Sequence, residues 1–215
     1  MSSITVELLS DATFFRGTGT AGEVDLEVAH DELGLPMIPA RTLRGLLRES
    51  WLAILPHFSH LRSAARDVLG PAGDTTPSGG GRLQIDNAQV PDALRRWVEW
   101  AVRRDRHPVL PSEILRAFTS VRRQTARSRA TGGPETGTLR ASRVALRTLV
   151  LEAPIETPGF REEHWEALAL ACLGVRHAGI GRNRGRGHVR LHLLRDSRDV
   201  THDLAKRLRE AEVAS

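Results

Sequence analysis

Gly179-Ile180-Gly181-Arg182-Asn183-Arg184-Gly185-Arg186-Gly187-His188-Val189-Arg190-Leu191-His192-Leu193 joins a helical pattern to an alternating strand. Four glycines and three arginines share nine of these residues. Glycine lets backbone N–H groups come close to a ligand, and arginine offers a planar, permanently charged fork for phosphate oxygens. No Gly-Lys-Ser/Thr follows, so the segment is not a P-loop. Its order is helix, loop, strand, the reverse of a dinucleotide fingerprint. Two readings stand on this stretch alone: a loop that grips a polyanion backbone, or a glycine-rich turn with solvated arginines. Gly179, Gly181, Gly185 and Gly187 with Arg182, Arg184 and Arg186 are the candidate binding residues.

The 215 residues carry a formal charge of +5, and Lys206 is the only lysine. Arginine suits phosphate recognition, but a GC-rich genome also replaces lysine by arginine. Placement therefore says more than number. Cys172, the only cysteine, lies in an apolar run, which excludes an internal disulfide or a thiolate metal cluster and fits a buried, inert thiol. The N-terminus lacks the pattern of a signal peptide, and no stretch approaches the roughly 20 apolar residues that span a bilayer. A cytoplasmic location without membrane contact is expected.

Periodicity predicts strands at 4–9, 82–87 and 189–194, and a second short strand or extended segment at 24–28. Helices are expected from an N-cap at Thr42, and at 61–69, 91–102, 162–174 and 200–213. Residues 112–119 read as a short helix or an extended piece. Leu43, Leu46, Leu47 and Trp51 form one face of the helix after Thr42, and Leu94, Trp97, Val98 and Ala101 form a stripe on another. Residues 70–81, with two prolines and a triple glycine, read as a surface loop within one domain covering 1–215. Residues 121–139 have almost no apolar side chains and read as a projecting arm. Strand character resumes at 139–151. Strands and helices mingle without regular βαβ spacing, so the fold class is α+β, a sheet with helices on one face.

Three segments together resemble the RAMP superfamily, the RNA-binding proteins of CRISPR systems. Gly34-Leu35-Pro36-Met37-Ile38-Pro39-Ala40-Arg41-Thr42-Leu43-Arg44-Gly45-Leu46-Leu47-Arg48-Glu49 is similar to the family's Ile-Pro element, which opens the first helix and contacts the guide RNA backbone. Ala40 stands where a glycine is common. Residues 179–189 resemble the family's C-terminal glycine-rich loop. Arg123-Gln124-Thr125 through Gly137-Thr138-Leu139-Arg140 resembles its thumb-like hairpin. The resemblance implies a ferredoxin-like (RNA-recognition-type) core with a protruding thumb. It also implies RNA contacts at Arg41, Thr42, Arg44, Arg48, Arg122 and Arg123, on the same positive surface as the glycine-loop arginines.

Within the superfamily, the backbone subunits of type III effector complexes match best. They carry an aspartate shortly before the Ile-Pro element that metal-dependent cleavage of bound target RNA requires. Gly22-Glu23-Val24-Asp25 sits in that place. Asp25 is therefore the implied catalytic residue and Mg²⁺ ligand. A single carboxylate suffices, because Mg²⁺ keeps several waters and takes other ligands from phosphate. The implied partners are guide RNA, target RNA, other effector subunits and further copies of the chain. Two other roles remain open at this stage. One is a structural or capping subunit in which Asp25 supports a loop. The other is a metal-independent guide-processing endonuclease, in which histidine does the acid–base work. His30 lies near Asp25 in sequence. His188 and His192 flank Arg190 on one face of the last strand. His57 and His60 read as surface residues.

Overall fold

A computed structural model describes residues 1–15, 17, 19, 23–71, 80–213 and no others. Most of the expected loop at 70–81 lies outside the described residues, and so does Gly22 of the aspartate motif. The strands are β1 (Ser3–Leu8), β2 (Gln84–Ile85), β3 (Thr119–Gln124), β4 (Arg140–Ala145), β5 (Val150–Glu156), β6 (Val189–Arg195) and β7 (Arg198–Asp199). The helices are α1 (Ala40–Ile54), α2 (Arg62–Leu69), α3 (Asp92–Arg103), α4 (Pro111–Phe118), α5 (Glu162–Gly174) and α6 (Thr201–Val213).

The main sheet runs β2-β5-β1-β6-β7 with every pairing antiparallel. Ile4, Val6 and Leu8 alternate inward on β1, beside Leu151 and Ala153 of β5 and Leu191 and Leu193 of β6. Alternation of period two puts their neighbours on the other face. That face is polar, with Glu7, Glu152 and Arg190 upon it, so the sheet is covered on one side only. The result is the α+β architecture with helices on one face that the sequence predicts.

Helix α5 is apolar nearly all round, and Ala167 through Cys172 are buried without exception. A helix of that kind belongs in an interior. It packs on β6 and against α1, α2 and α6. Burial drives the Cys172 thiol pKa far up, which leaves it the inert group expected. The last residue of α5 is Gly174, and a Cβ there would lie 2.2 Å from the Ser50 hydroxyl of α1. That hydroxyl donates to the Ala171 carbonyl at 2.7 Å and ties the two helices together.

Helix α1 buries Leu43, Leu46, Leu47 and Trp51 as expected, but it starts earlier than Thr42. Pro39 occupies the N-cap position, where it has no N–H to lose. The first helical N–H, of Ala40, is accepted by the Asn87 side-chain oxygen at 2.8 Å. A cap supplied by a residue 47 positions away leaves no local signature in the chain. Three other expectations change. The 24–28 segment makes isolated bridges rather than a strand, and the strand near 82–87 shrinks to two residues. Trp97 is 58% exposed and lies outside the buried stripe, which on α3 holds Val98 and Ala101. Residues 111–118 are helical.

The arm is a β-hairpin. β3 and β4 pair from Thr119↔Ala145 to Gln124↔Arg140, and residues 125–139 form its tip. Its base belongs to the core, since Val144 and Ala145 are fully buried, while the tip is largely exposed.

Candidate nucleic-acid interface

The glycine-rich loop is closed at its neck. His177 and His188 form an antiparallel bridge, and their rings stack with centroids 5.3 Å apart. The Ala178 N–H donates to the Gly187 carbonyl at 2.8 Å, and the Val189 N–H to Arg176 at 3.0 Å. The loop then lies on the segment that follows β1. Ile180 donates to Thr13 at 2.9 Å and Gly187 to Asp11 at 2.9 Å. Gly187 has φ +70, and a Cβ there would stand 1.9 Å from the Ala178 carbonyl oxygen. Gly179 has φ +82 and would clash with Thr13 at 2.5 Å. These two glycines serve close backbone packing. The N–H groups of residues 178, 180, 184 and 187 bond within the protein.

The side chains of the loop border a groove. It encloses about 830 Å³ and is bounded by the glycine loop, the paired strands of the hairpin (Gln124, Arg140, Ser142) and Leu26. Arg182 reaches across to Glu49 on α1, with contacts of 3.1 and 3.0 Å to the two carboxylate oxygens. Arg186 donates to the Ser142 hydroxyl at 3.1 Å. Arg184 points into the same space and is exposed. Parallel to β4, Leu26 bridges Ser142. Three remote parts of the chain thus meet around one basic groove.

The structure divides the residues expected on this surface. Arg44 and Arg48 are turned toward α2. Arg44 donates to the Leu83 carbonyl and Arg48 to the Leu69 carbonyl. Burial, then the neighbouring Arg48 charge, lowers the Arg44 pKa. The two side chains tie the Ile-Pro helix to the backbone on either side of residues 70–81. They do not join Arg182, Arg184 and Arg186. Glu49, seven residues after Thr42, does reach the groove, and that spacing puts Thr42 on the same helical stripe. Arg41 is exposed. Arg122 pairs with Asp11 at 2.6 Å, and Arg123, next along β3, points to the opposite face. Arg140, Gln124 and Ser142 were not singled out as site residues. Gln124 and Arg140 end the segment that resembles a thumb-like hairpin, but it is cross-strand pairing that brings them and Ser142 to the groove.

Asp25 is exposed and lies one residue before Leu26 of the groove wall. Its N–H donates to the Ala141 carbonyl at 2.9 Å, and its Oδ2 accepts from the Ala141 N–H at 2.6 Å. Glu23 and Glu27 flank it, and Arg143 holds both, at 2.8 and 2.9 Å. The donor set at this place is therefore one carboxylate. Among the described residues no group of three or more acidic, histidine or cysteine side chains could hold a metal. A lone carboxylate still fits a hydrated Mg²⁺ that takes its remaining ligands from water and phosphate. His30 belongs to another cleft, with Asp31 and Arg95, and its Nδ1 lies 2.9 Å from the Asp31 carbonyl. His57 and His60 are exposed.

The open sheet face differs from that of sheet-reading RNA modules, which stack bases on aromatic rings. The outward positions of β1, β5 and β6 carry no phenylalanine or tryptophan.

The architecture is thus an α+β chain with an antiparallel sheet, a projecting hairpin and a glycine–arginine loop beside a basic groove. The sequence signature of the RAMP superfamily matches residues 5–190, and the chain belongs to that superfamily. No curated protein matches it in sequence. Its fold is shared with a chain of the type III-B Cmr-β complex in the apo state. The TM-score is 0.64 and the identity 14%, over 92% of this chain and 98% of that one. A chain of Cmr-β bound to cognate target RNA is similar at TM-score 0.63 and 14% identity, over 94% and 98%. Among the described residues, no helix is long and apolar enough to cross a membrane.

Proposed function

We propose that this protein is a guide-RNA-binding backbone subunit of a type III CRISPR effector complex, and that Asp25 serves cleavage of the bound target RNA. The observation that carries the binding half is the meeting of Arg182, Arg184, Arg186 and Arg140 around one open groove on a RAMP fold. Its partners are then guide RNA, target RNA and neighbouring subunits, including copies of itself. The arginine forks bind phosphates and so accept any guide sequence. The hairpin, anchored by β4 and exposed at its tip, reaches out to the RNA or to the next subunit.

In the cleavage half, the RNA supplies its own nucleophile, the 2′-hydroxyl. The protein has to hold that oxygen in line with the phosphorus and stabilise the charge that develops. Asp25, fixed to β4 through Ala141, would hold the Mg²⁺, and the bound ion would offset charge on the phosphate. Arg143 keeps the 23–27 segment in place, and the groove arginines orient the strand. A second reading has support of its own. The Asp25 carboxylate already accepts the Ala141 N–H, as a residue that shapes a loop in a non-cleaving or capping subunit would.

Binding is tested by titrating single-stranded RNA against the wild type and the Arg182→Ala/Arg184→Ala variant over a salt series. Wild-type affinity should fall steeply with salt, and the variant should lose affinity and slope together. Sequence-specific, salt-insensitive binding would refute the reading. Cleavage is tested in the reconstituted complex with Asp25→Asn.

A further inference from the structure

Arg186 has a second side. Beyond it the surface falls into another cavity, of about 610 Å³, which Arg186 shares with the glycine-loop groove. Arg122 from β3 and Arg147 from the β4–β5 turn border this cavity, together with Ser10, Asp11 and Thr148. Among the described residues lining it, Asp11 is the single acid against three arginines. Its carboxylate is engaged in orientation. One oxygen takes Arg122 at 2.6 and 3.2 Å, and the other takes the Arg147 N–H at 3.1 Å. One of the three charges is thus met, and the Arg147 side chain stays exposed.

The turn that carries Arg147 is held in an unusual shape. Thr148 has φ +76, in the left-handed region that β-branched residues avoid. Its N–H donates to the Leu8 carbonyl at 2.8 Å, which with the Asp11 bond sets the turn. A strained turn persists only where its surroundings impose it, and such turns gather at functional sites. Here it presents a guanidinium beside Arg122, on the far side of Arg186.

We infer that this cavity is a second phosphodiester site, which takes the backbone of the RNA strand as it leaves the glycine-loop groove. The inference rests on the RNA-binding reading above and extends it by naming the path of the strand. Arg186 is the shared wall, so successive phosphates pass from Arg182 and Arg184 to Arg186 and on to Arg147 and Arg122. The ligand is a run of sugar-phosphate backbone. The site offers forks and hydroxyls (Ser10, Thr148) and has no aromatic ring among its described lining residues with which to stack a base.

The test uses the full chain and Arg147→Ala. Asp11 binds the backbone N–H of that residue, so the turn survives loss of the side chain. Single-strand sites run from about 4 to 16 nucleotides, so oligomers of about 4 and 12 nucleotides are compared. The wild type should prefer the longer RNA. In Arg147→Ala that preference should fall by about fivefold or more, and the salt slope for the longer RNA by about 0.7. A wild-type preference and slope in Arg147→Ala would overturn the site. An effect that emerged only after annealing a complementary strand would place a different strand there and overturn the path. The Arg182→Ala/Arg184→Ala variant separates the two levels: if it too binds both lengths normally, the RNA-binding reading itself fails.

Discussion

Arg143 and Glu27 form an ion pair in the interior of the protein, with Nε and Oε1 2.9 Å apart and side chains only 6% and 5% exposed. A second carboxylate, Glu23, meets the same guanidinium at 2.8 Å from the partly exposed side. Both acids lie two residues from Asp25. One buried cation therefore fastens the segment that carries the candidate catalytic group onto β4, the strand that also borders the glycine-loop groove. The chemistry proposed for Asp25 depends on this fastening, because a carboxylate on a loose segment could not hold its geometry against a strand of RNA.

Arg143→Met should accordingly be among the more damaging single substitutions in the chain. It takes the Arg143 guanidinium away from buried Glu27, and breaking a buried pair from one side costs about 3–5 kcal/mol. Arg143→Met/Glu27→Met should recover much of that loss, since removing both charges also removes their desolvation cost. Urea unfolding of the three proteins checks this. A double variant no more stable than the single one would show that the pair contributes more than charge balance.

Asp25→Asn keeps an oxygen that can accept the Ala141 N–H but carries no charge. Its stability should stay within about 1 kcal/mol of the wild type, the worth of an ordinary hydrogen bond. Mg²⁺-dependent target cleavage by the assembled complex should fall by about a hundredfold or more, the scale on which removing a transition-state contact acts. Guide binding should change little. If cleavage persists, Asp25 shapes a loop and the subunit is structural.

Two glycines in one loop should respond differently to alanine. Gly185→Ala meets open space and has only a positive φ to sustain, which costs about 1–2 kcal/mol. Gly187→Ala adds a collision with the Ala178 carbonyl and must move the neck of the loop. Gly187→Ala should therefore lower both melting temperature and RNA affinity further than Gly185→Ala. Thermal melts and RNA titration of the two variants provide the comparison.

Acid should act on the hinge of the second cavity. Burial by itself would raise the Asp11 pKa, but the Arg122 hydrogen bond, the Arg147 N–H and both guanidinium charges outweigh it and hold the value below 3.8. A carboxyl group whose folded pKa is depressed stabilises the fold above its unfolded pKa. That stability is lost as pH falls through the folded value. Asp11→Asn should thus flatten the stability profile between about pH 5 and pH 2 and leave its shape above that range unchanged. Denaturant midpoints across this range measure the effect. An unaltered acid limb would mean that Asp11 is not the group holding Arg122.

Shortening the hairpin by replacing residues 127–136 with a tight turn should scarcely affect the melting temperature. Most of those side chains are exposed, and their bonds stay within the tip, as between Arg127 and the Gly132 carbonyl at 2.5 Å. Complex assembly or guide binding should weaken. A drop in melting temperature like that of a core substitution would contradict the view of the tip as an arm.

What the chain alone determined is what local pattern can carry. The two-residue alternation of β1 and β6 settled which side of the sheet is buried. The apolar run of α5 marked the helix at the centre, with the same bounds in sequence and structure. The spacing of Gly179, Gly181, Gly185 and Gly187 announced a glycine-rich loop between a helix and a strand, and three motifs in order pointed to the RAMP superfamily. Each of these rests on interactions between residues a few positions apart. Only the tertiary structure decided how the arginines divide. Arg44 and Arg48 share the helix of Glu49, yet rotation about its axis turns them to backbone carbonyls near α2 while Glu49 meets Arg182. Arg140 and Ser142 reached the groove through strand pairing, and Arg147 reached the second cavity through a turn held by residues more than a hundred positions away. A guanidinium is chemically the same in all these places. Whether it grips a phosphate, caps a carbonyl or neutralises a buried acid depends on which groups the fold brings within about 3 Å of it, and that information lies in no single stretch of the chain.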